Sequence, residues 1–240
     1  GLPITTQQTL KLAACIGNTF SLNLLAIANE KSLSKTAEEL WDALQEGLIA
    51  PLSQSYKLAH VKQIEDSLSE EGNAVNIAYR FLHDRVQQAA YLLIPSDRQQ
   101  ETHLRVGRLL LEHTSPEERE ETLFDIVNHL NRGVSLITDP TEQLELAEFN
   151  FIAGRKAKAA AAFEPANQYF TAGLAILPSN PWIEAYDLTL TLHIEAAETA
   201  YLTTQFEEAE HLSDLVLQHT TDVLQKVKVY ETQIYFYIAQ

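Results

Sequence analysis

The chain has 240 residues, 45% of them hydrophobic, and a formal net charge of −16. That length and apolar content suffice for a packed core and exclude a disordered chain, and the charge disfavours nucleic acid or an anionic lipid surface as a partner. The charge is uneven: residues 1–94 carry 7 Lys/Arg against 10 Asp/Glu, and residues 95–240 carry 10 against 23.

One cysteine, Cys15, falls on the apolar side of a predicted helix. It rules out a disulfide framework and points to a reducing cytoplasm. No apolar run approaches a membrane span and no signal-peptide pattern opens the sequence, so a cytoplasmic location away from membranes is expected. The sequence starts at Gly1, contains no methionine and stops inside the apolar run VYETQIYFYIAQ. A segment of a longer polypeptide is the expectation.

In chain order, Leu10, Leu12, Ala13, Ala14 and Ile16 predict a helix closed by a left-handed stop at Gly17-Asn18, and Leu22, Leu24, Leu25 and Ile27 predict a second. A third follows Ser34, with Leu40, Trp41, Leu44 and Leu48 on its buried face, and ends near Gly47. The period then shortens. LIAPL (48–52), YKLAHV (56–61) and AYRFL (78–82) read as strands, the last two separated by a polar loop at 65–76. A helix after His83 carries Val86, Ala89, Ala90 and Leu93 on one side. Three helices followed by a small sheet is the order of a winged helix.

From residue 95 the pattern is helical throughout. Ser96 with Gln99, Ser115-Pro116 with Glu118, and Asp139-Pro140 with Glu142 read as capping boxes, and Asn180-Pro181 starts another helix without one. Leu123, Ile126, Val127, Leu130 and Val134 follow helical spacing, with Gly133 near the end. A shift of 43 residues superposes Ala153 on Ala196, Ala157 on Ala200, Phe163 on Phe206, Glu164 on Glu207, Ala166 on Ala209 and Leu174 on Leu217. Small residues at close helix approaches, with an aromatic after each turn, resemble a tetratricopeptide repeat (TPR) with lengthened helices, and VYETQIYFYIAQ would begin a further unit. The expected fold is thus mostly α: a winged-helix domain with a small β-hairpin or sheet over residues 1–94, then an antiparallel α-hairpin, TPR-like superhelix over 95–240, truncated at its C-terminal end.

The chemistry-bearing motifs are few. The sequence has no GxxxxGK[ST] loop, GxGxxG, GxSxG, HExxH or CxxC, and its eight histidines show no clustered ligand set, so no metal site is expected. Glu207 with His211, and the basic Arg155, Lys156 and Lys158, read as solvated surface charges; Trp41 and Trp182 read as packing residues. His83-Asp84, at a strand-to-helix joint, admits two readings. The pair could cap and brace the helix it opens, or the free N–H groups there and the imidazole could face a phosphate.

FLHDRVQQAAYLLIP, together with LKLAACIGN, LWDALQEGLI, HLRVGRLLLEHT and FDIVNHLNRG, resembles the segment that follows the nucleotide-binding domain in large bacterial multi-domain signalling kinases. Those proteins are similar to the signal-transduction ATPases with numerous domains (STAND), a branch of the AAA+ class. The resemblance spans nearly the whole chain. It implies a Ser/Thr kinase-like domain and an ATPase upstream, with GAF and histidine-kinase domains downstream. In the wider ATPase class a hydrophobic-His-Asp motif on the winged helix touches the ADP phosphates in the closed state. Leu82-His83-Asp84 matches it, which would make His83 the nucleotide contact and Asp84 its orienting or bracing partner.

The leading expectation is therefore a non-catalytic regulatory segment of an ATPase-kinase. It would dock on the nucleotide-binding domain of the same chain and present helical repeats to a protein partner. ATP or ADP would be bound by the parent protein and no cofactor by the segment itself. A free-standing repeat adaptor with an acidic groove is the alternative. A winged-helix DNA reader is disfavoured, because Glu38, Glu39, Asp42 and Glu46 face Lys35 alone on the third helix.

Overall fold

The computed structural model describes residues 1–52, 77–115 and 119–238. They are mostly helical, with one three-stranded antiparallel sheet. The chain divides into two compact units, residues 1–136 and 137–240. The motif-based division at residue 94 and this contact-based one mark different things: the two helices between residues 99 and 132 fall within the first unit.

The first unit opens with α1 (Ile4–Ile16), β1 (Thr19–Ser21), α2 (Leu22–Asn29), α3 (Leu33–Gln45), β2 (Ile49–Pro51), β3 (Ala78–Phe81) and α4 (Asp84–Leu92). The third predicted strand is β3, the first is β2, and the segment 56–61 with the loop 65–76 lies outside the described residues. Strand β1 was not anticipated, since three residues are too few to show a period. The sheet order is β1-β3-β2, with Phe20 opposite Tyr79 and Ile49 opposite Phe81. Pro51, which has no N–H to donate, sits on an edge strand. Phe20, Tyr79 and Phe81 stack inward, the Phe20 centroid 5.9 and 5.6 Å from the other two, onto Leu10, Leu22, Leu25 and Leu40.

Local caps correct several expectations. Gly17 leaves α1 in extended backbone (φ 159°, ψ −174°), not in a left-handed turn. The cap of α3 is Ser32, whose Oγ accepts from the Lys35 N–H, so the helix starts two residues before the predicted Ser34. Trp41 is 42% exposed, and Ala37, Leu40 and Ala43 form the buried face instead. On α4, Ala90 is buried whereas Ala89 and Leu93 are exposed.

Two longer helices complete the unit, α5 (Gln99–His113) and α6 (Arg119–Arg132). Ser96 caps neither; it opens a 3-10 turn, Ser96–Arg98, that leads into α5. Of the predicted box at 115–118, Pro116 and Glu118 lie outside the described residues. Val134 falls in a second 3-10 turn, Val134–Leu136, rather than in a helix.

The second unit holds α7 (Pro140–Ala159), α8 (Phe163–Ala175), the short α9 (Pro181–Glu184), α10 (Tyr186–Leu202), α11 (Phe206–His219) and α12 (Val223–Ile238). Asp139 caps α7 as predicted, its Oδ1 accepting from the Thr141 N–H at 3.0 Å with Pro140 at the first helical position. The 43-residue period is visible in the backbone. After α7, the Ala162 N–H donates to Ala157 O and Ala161 N–H to Lys158 O; after α10, Gln205 N–H donates to Ala200 O and Thr204 N–H to Tyr201 O. Both are Schellman turns with a left-handed residue, Ala161 at φ 57° and Thr204 at φ 63°. Each hairpin buries an alanine early in its second helix, Ala166 and Ala209. A side chain at Gly154 would meet the Phe170 ring at 2.4 Å, so the first hairpin closes on that contact. Between the hairpins, the buried Thr199 hydroxyl donates to Asn167 Oδ1 at 3.1 Å.

Candidate functional site

Strand β3 ends at Phe81 and α4 begins at Asp84, which leaves His83 as the N-cap residue in extended conformation (φ −139°, ψ 134°). Its carbonyl accepts from the N–H groups of Val86 (2.9 Å) and Gln87 (3.3 Å). Its imidazole makes no capping hydrogen bond, and both His83 and Asp84 are exposed. The backbone, not the ring, therefore starts this helix. The ring stands in solvent beside a helix N-terminus whose partial positive charge favours an anion.

A second group of polar residues lies inside the same unit and involves histidines that the sequence left unclustered. His103 on α5 and His129 on α6 approach to 2.9 Å between their Nδ1 atoms, and the Cys15 Sγ of α1 lies 3.4 Å from His103 Nδ1 and 3.7 Å from its Nε2. All three are buried, at 2%, 4% and 2% exposure for His103, His129 and Cys15. Two histidines that the sequence leaves unclustered are thus brought together with the cysteine. These three side chains offer donor atoms within 4.8 Å of one another.

The sequence does hold a signal for this pair, HLRVG at 103–107 and HLNRG at 129–133. The two glycines let α5 and α6 close up reciprocally. A Cβ on Gly107 would lie 2.8 Å from the Leu130 side chain, and one on Gly133 would lie 2.6 Å from Leu104. Each leucine thus nests on the other motif's glycine. Each histidine, one residue earlier, meets its counterpart across the seam.

Around the cluster, His103 Nε2 faces the Tyr91 hydroxyl at 3.1 Å and Arg132 Nη1 at 3.3 Å, and Tyr91 donates to Gln99 Oε1 at 3.4 Å. A guanidinium only donates. His103 Nε2 accordingly accepts, its Nδ1 carries the proton, and His129 Nδ1 accepts that proton in turn. Burial and the Arg132 charge lower His103 to about 4. Burial, then His103 and Arg132, lower His129 to about 3. Burial raises the Cys15 thiol to about 12, against a smaller lowering by Arg132. At neutral pH all three groups are uncharged. A cavity of about 370 Å³, bordered by Gly17, Gln87, Tyr91 and Arg132, opens on the Cys15 side of the cluster.

The remaining sequence candidates are distributed through the second unit. Lys158 is not a solvated charge, since its Nζ bridges Glu195 and Glu198 of α10 at 2.7 Å each. Arg155 lies over the Phe151 ring. Trp182 packs as expected, its ring 4.4 Å from His219 at an interplanar angle of 5°. Glu207 and His211 are exposed.

No family model matches the chain, and no solved structure matches it. The chain is similar to the hybrid signal transduction histidine kinase G of Dictyostelium discoideum, at 28% identity over an alignment 276 positions long. The alignment covers 96% of this chain but 8% of that protein, so the chain spans about a twelfth of the length of its relative.

Proposed function

We propose that this chain is a regulatory and interaction segment of a signal-transduction kinase. The similarity to a hybrid histidine kinase over nearly the whole chain supports the signalling context. The order α1-β1-α2-α3-β2-β3, with a β1-β3-β2 antiparallel sheet, supports reading the first part as a winged helix. The paired Schellman turns 43 residues apart support reading the later helices as TPR-like hairpins. In this reading the segment performs no catalytic step itself. ATP or ADP binds an upstream AAA+, STAND-type domain of the same polypeptide, on which the winged helix docks.

The observation that carries the docking proposal is the exposed imidazole of His83 at a helix N-terminus without a side-chain cap. A phosphate of ADP held by the neighbouring domain would be bound there by His83 and the first N–H groups of α4, with Asp84 bracing the turn. An exposed α3 surface bearing Glu38 and Glu46 argues for a protein partner in preference to nucleic acid. In the second unit, Val223, Val227, Tyr230, Ile234 and Ile238 form one exposed apolar face of α12, as a surface for protein contacts requires.

The test uses the full-length polypeptide. ADP retained after purification is measured with His83 intact and with His83→Ala. At least a tenfold loss of retained ADP is expected, and the absence of a phosphate-loop motif upstream of Gly1 would remove the basis of the proposal. Unchanged retention would leave His83 a turn residue and nothing more.

A further inference from the structure

We propose that Cys15, His103 and His129 form a zinc site with one coordination position left to water or another exogenous ligand. Thiolate and imidazole are the ligand types that zinc and similar borderline-soft cations select. Helices α1, α5 and α6 each contribute one, and their donor atoms converge. Zinc bonds of about 2.0–2.1 Å to nitrogen and 2.3 Å to sulfur set tetrahedral edges of roughly 3.3–3.6 Å. The 2.9 Å between the two Nδ1 atoms and the 3.4 Å from Sγ to His103 Nδ1 need to open by only a few tenths of an ångström.

A hydrogen-bonded pair alone does not account for the arrangement. A single proton lies between the two Nδ1 atoms, and the sulfur, near both ring nitrogens of His103, adds little to that bond. A cation at the centre satisfies all three lone pairs together. The surroundings suit ligation through Nδ1. It leaves the proton of His103 on Nε2, where the Tyr91 hydroxyl at 3.1 Å accepts it and donates onward to Gln99. Such an outer partner fixes the ring orientation of a metal-bound histidine. Zn²⁺ replaces the thiol proton of Cys15, which passes to solvent, and no electron is transferred.

Arg132 opposes the ion. In the metal-free network its Nη1 donates to His103 Nε2, and ligation turns that nitrogen into a donor, so the guanidinium must leave. It has somewhere to go, because Arg132 is exposed and borders the open cavity that also touches Cys15. That cavity reaches the site on its Cys15 side and is the entry path for the ion and for water. Loading with zinc therefore pins three helices and releases one arginine to the surface.

The whole chain, stripped with a chelator, is titrated with Co²⁺ and then with Zn²⁺ in competition with a chromophoric chelator. The expected result is one ion per chain, the visible spectrum of tetrahedral Co²⁺, and a thiolate-to-cobalt charge-transfer band that Zn²⁺ abolishes. Cys15→Ser removes that band, and both Cys15→Ser and His129→Asn weaken Zn²⁺ at least about 100-fold. Tyr91→Phe, which keeps every ligand, weakens it roughly tenfold. Arg132→Gln tightens it by a similar factor, and His113→Asn, an exposed residue of α5, leaves it unchanged. Circular dichroism of each metal-free variant separates lost folding from lost ligation. Failure of the folded parent chain to bind Zn²⁺ at micromolar concentration overturns the proposal. So does binding that persists unchanged in both Cys15→Ser and His129→Asn.

Discussion

Among single residues, Glu39 shows how the first unit tolerates a buried charge. Its carboxylate accepts from the Thr9 hydroxyl at 2.7 Å, Asn29 Nδ2 at 2.9 Å and Lys31 Nζ at 2.7 Å. Burial pushes this carboxyl up, but the bonds from Lys31, Thr9 and Asn29 outweigh it and hold it below the usual range. Truncation to Glu39→Ala removes the acceptor that Thr9, Asn29 and Lys31 share and leaves Thr9 and Asn29 only their longer bonds to Thr5 O (3.1 Å) and Thr36 Oγ1 (3.4 Å), at a cost of about 1–3 kcal/mol, to be read from urea unfolding. On sequence alone Glu39 groups with the surface charges of α3, because an acidic helix face looks the same whether or not one carboxylate turns inward. His193 gives the opposite lesson about pH. Burial lowers its pKa below the ordinary 6.5, partly offset by its Nδ1–H donating to Thr189 O and reinforced by His219 and His211. As pH falls below about 6.5 the unfolded chain takes up the proton first, so stability declines through that range. The unfolding midpoint should drop between pH 7 and pH 5, and His193→Gln should make the drop shallower. The profile is read on the unit 137–240, because His103 and His129, which burial also keeps neutral, belong to the other unit. An identical profile in His193→Gln would show that His193 does not contribute.

At the scale of elements, hairpin geometry in the second unit rests on two residues in an unfavourable conformation. Ala161 and Thr204 occupy the left-handed region at equivalent positions of the 43-residue period, where glycine is the usual occupant. Thr204, being β-branched, carries the greater strain. Replacement by glycine should therefore stabilise, by roughly 0.5–1 kcal/mol for Ala161→Gly and somewhat more for Thr204→Gly, measured as a rise in thermal midpoint. A loss of stability in both would mean that glycine's gain in unfolded-state entropy outweighs the relieved strain. These elements also mark what could be read in advance. The long helices, the Asp139 cap and the repeat were legible because each leaves a local or periodic trace in the chain. The Cys15–His103–His129 cluster was not, because its side chains are up to 114 positions apart and meet only after α5 and α6 close on Gly107 and Gly133. The His83 corner could be located from the sequence, but whether its ring was buried or exposed depended on tertiary packing.

For the whole molecule, charge distribution separates the two units more sharply than their composition does. Residues 1–136 carry 12 Lys/Arg against 18 Asp/Glu, and residues 137–240 carry 5 against 15. The second unit thus holds its helices together against considerable self-repulsion, with Lys158 between Glu195 and Glu198 as a partly buried counterweight. Added salt screens exposed charges more strongly than partly buried pairs, because the Debye length falls from about 30 Å at 0.01 M to about 10 Å at 0.1 M. Relief of repulsion should therefore exceed the weakening of the Lys158 bridges. Each unit has its own buried core, so fragments 1–136 and 137–240 are expected to fold separately. The thermal midpoint of 137–240 should rise clearly between about 20 mM and 300 mM NaCl, while that of 1–136 moves less. Lys158→Met, which keeps the stem but removes the bridge, should lower the midpoint at both salt concentrations, by about 1–2 kcal/mol of stability. A midpoint of 137–240 that instead falls with salt would show that its ion pairs, and not its net charge, govern the unit's stability.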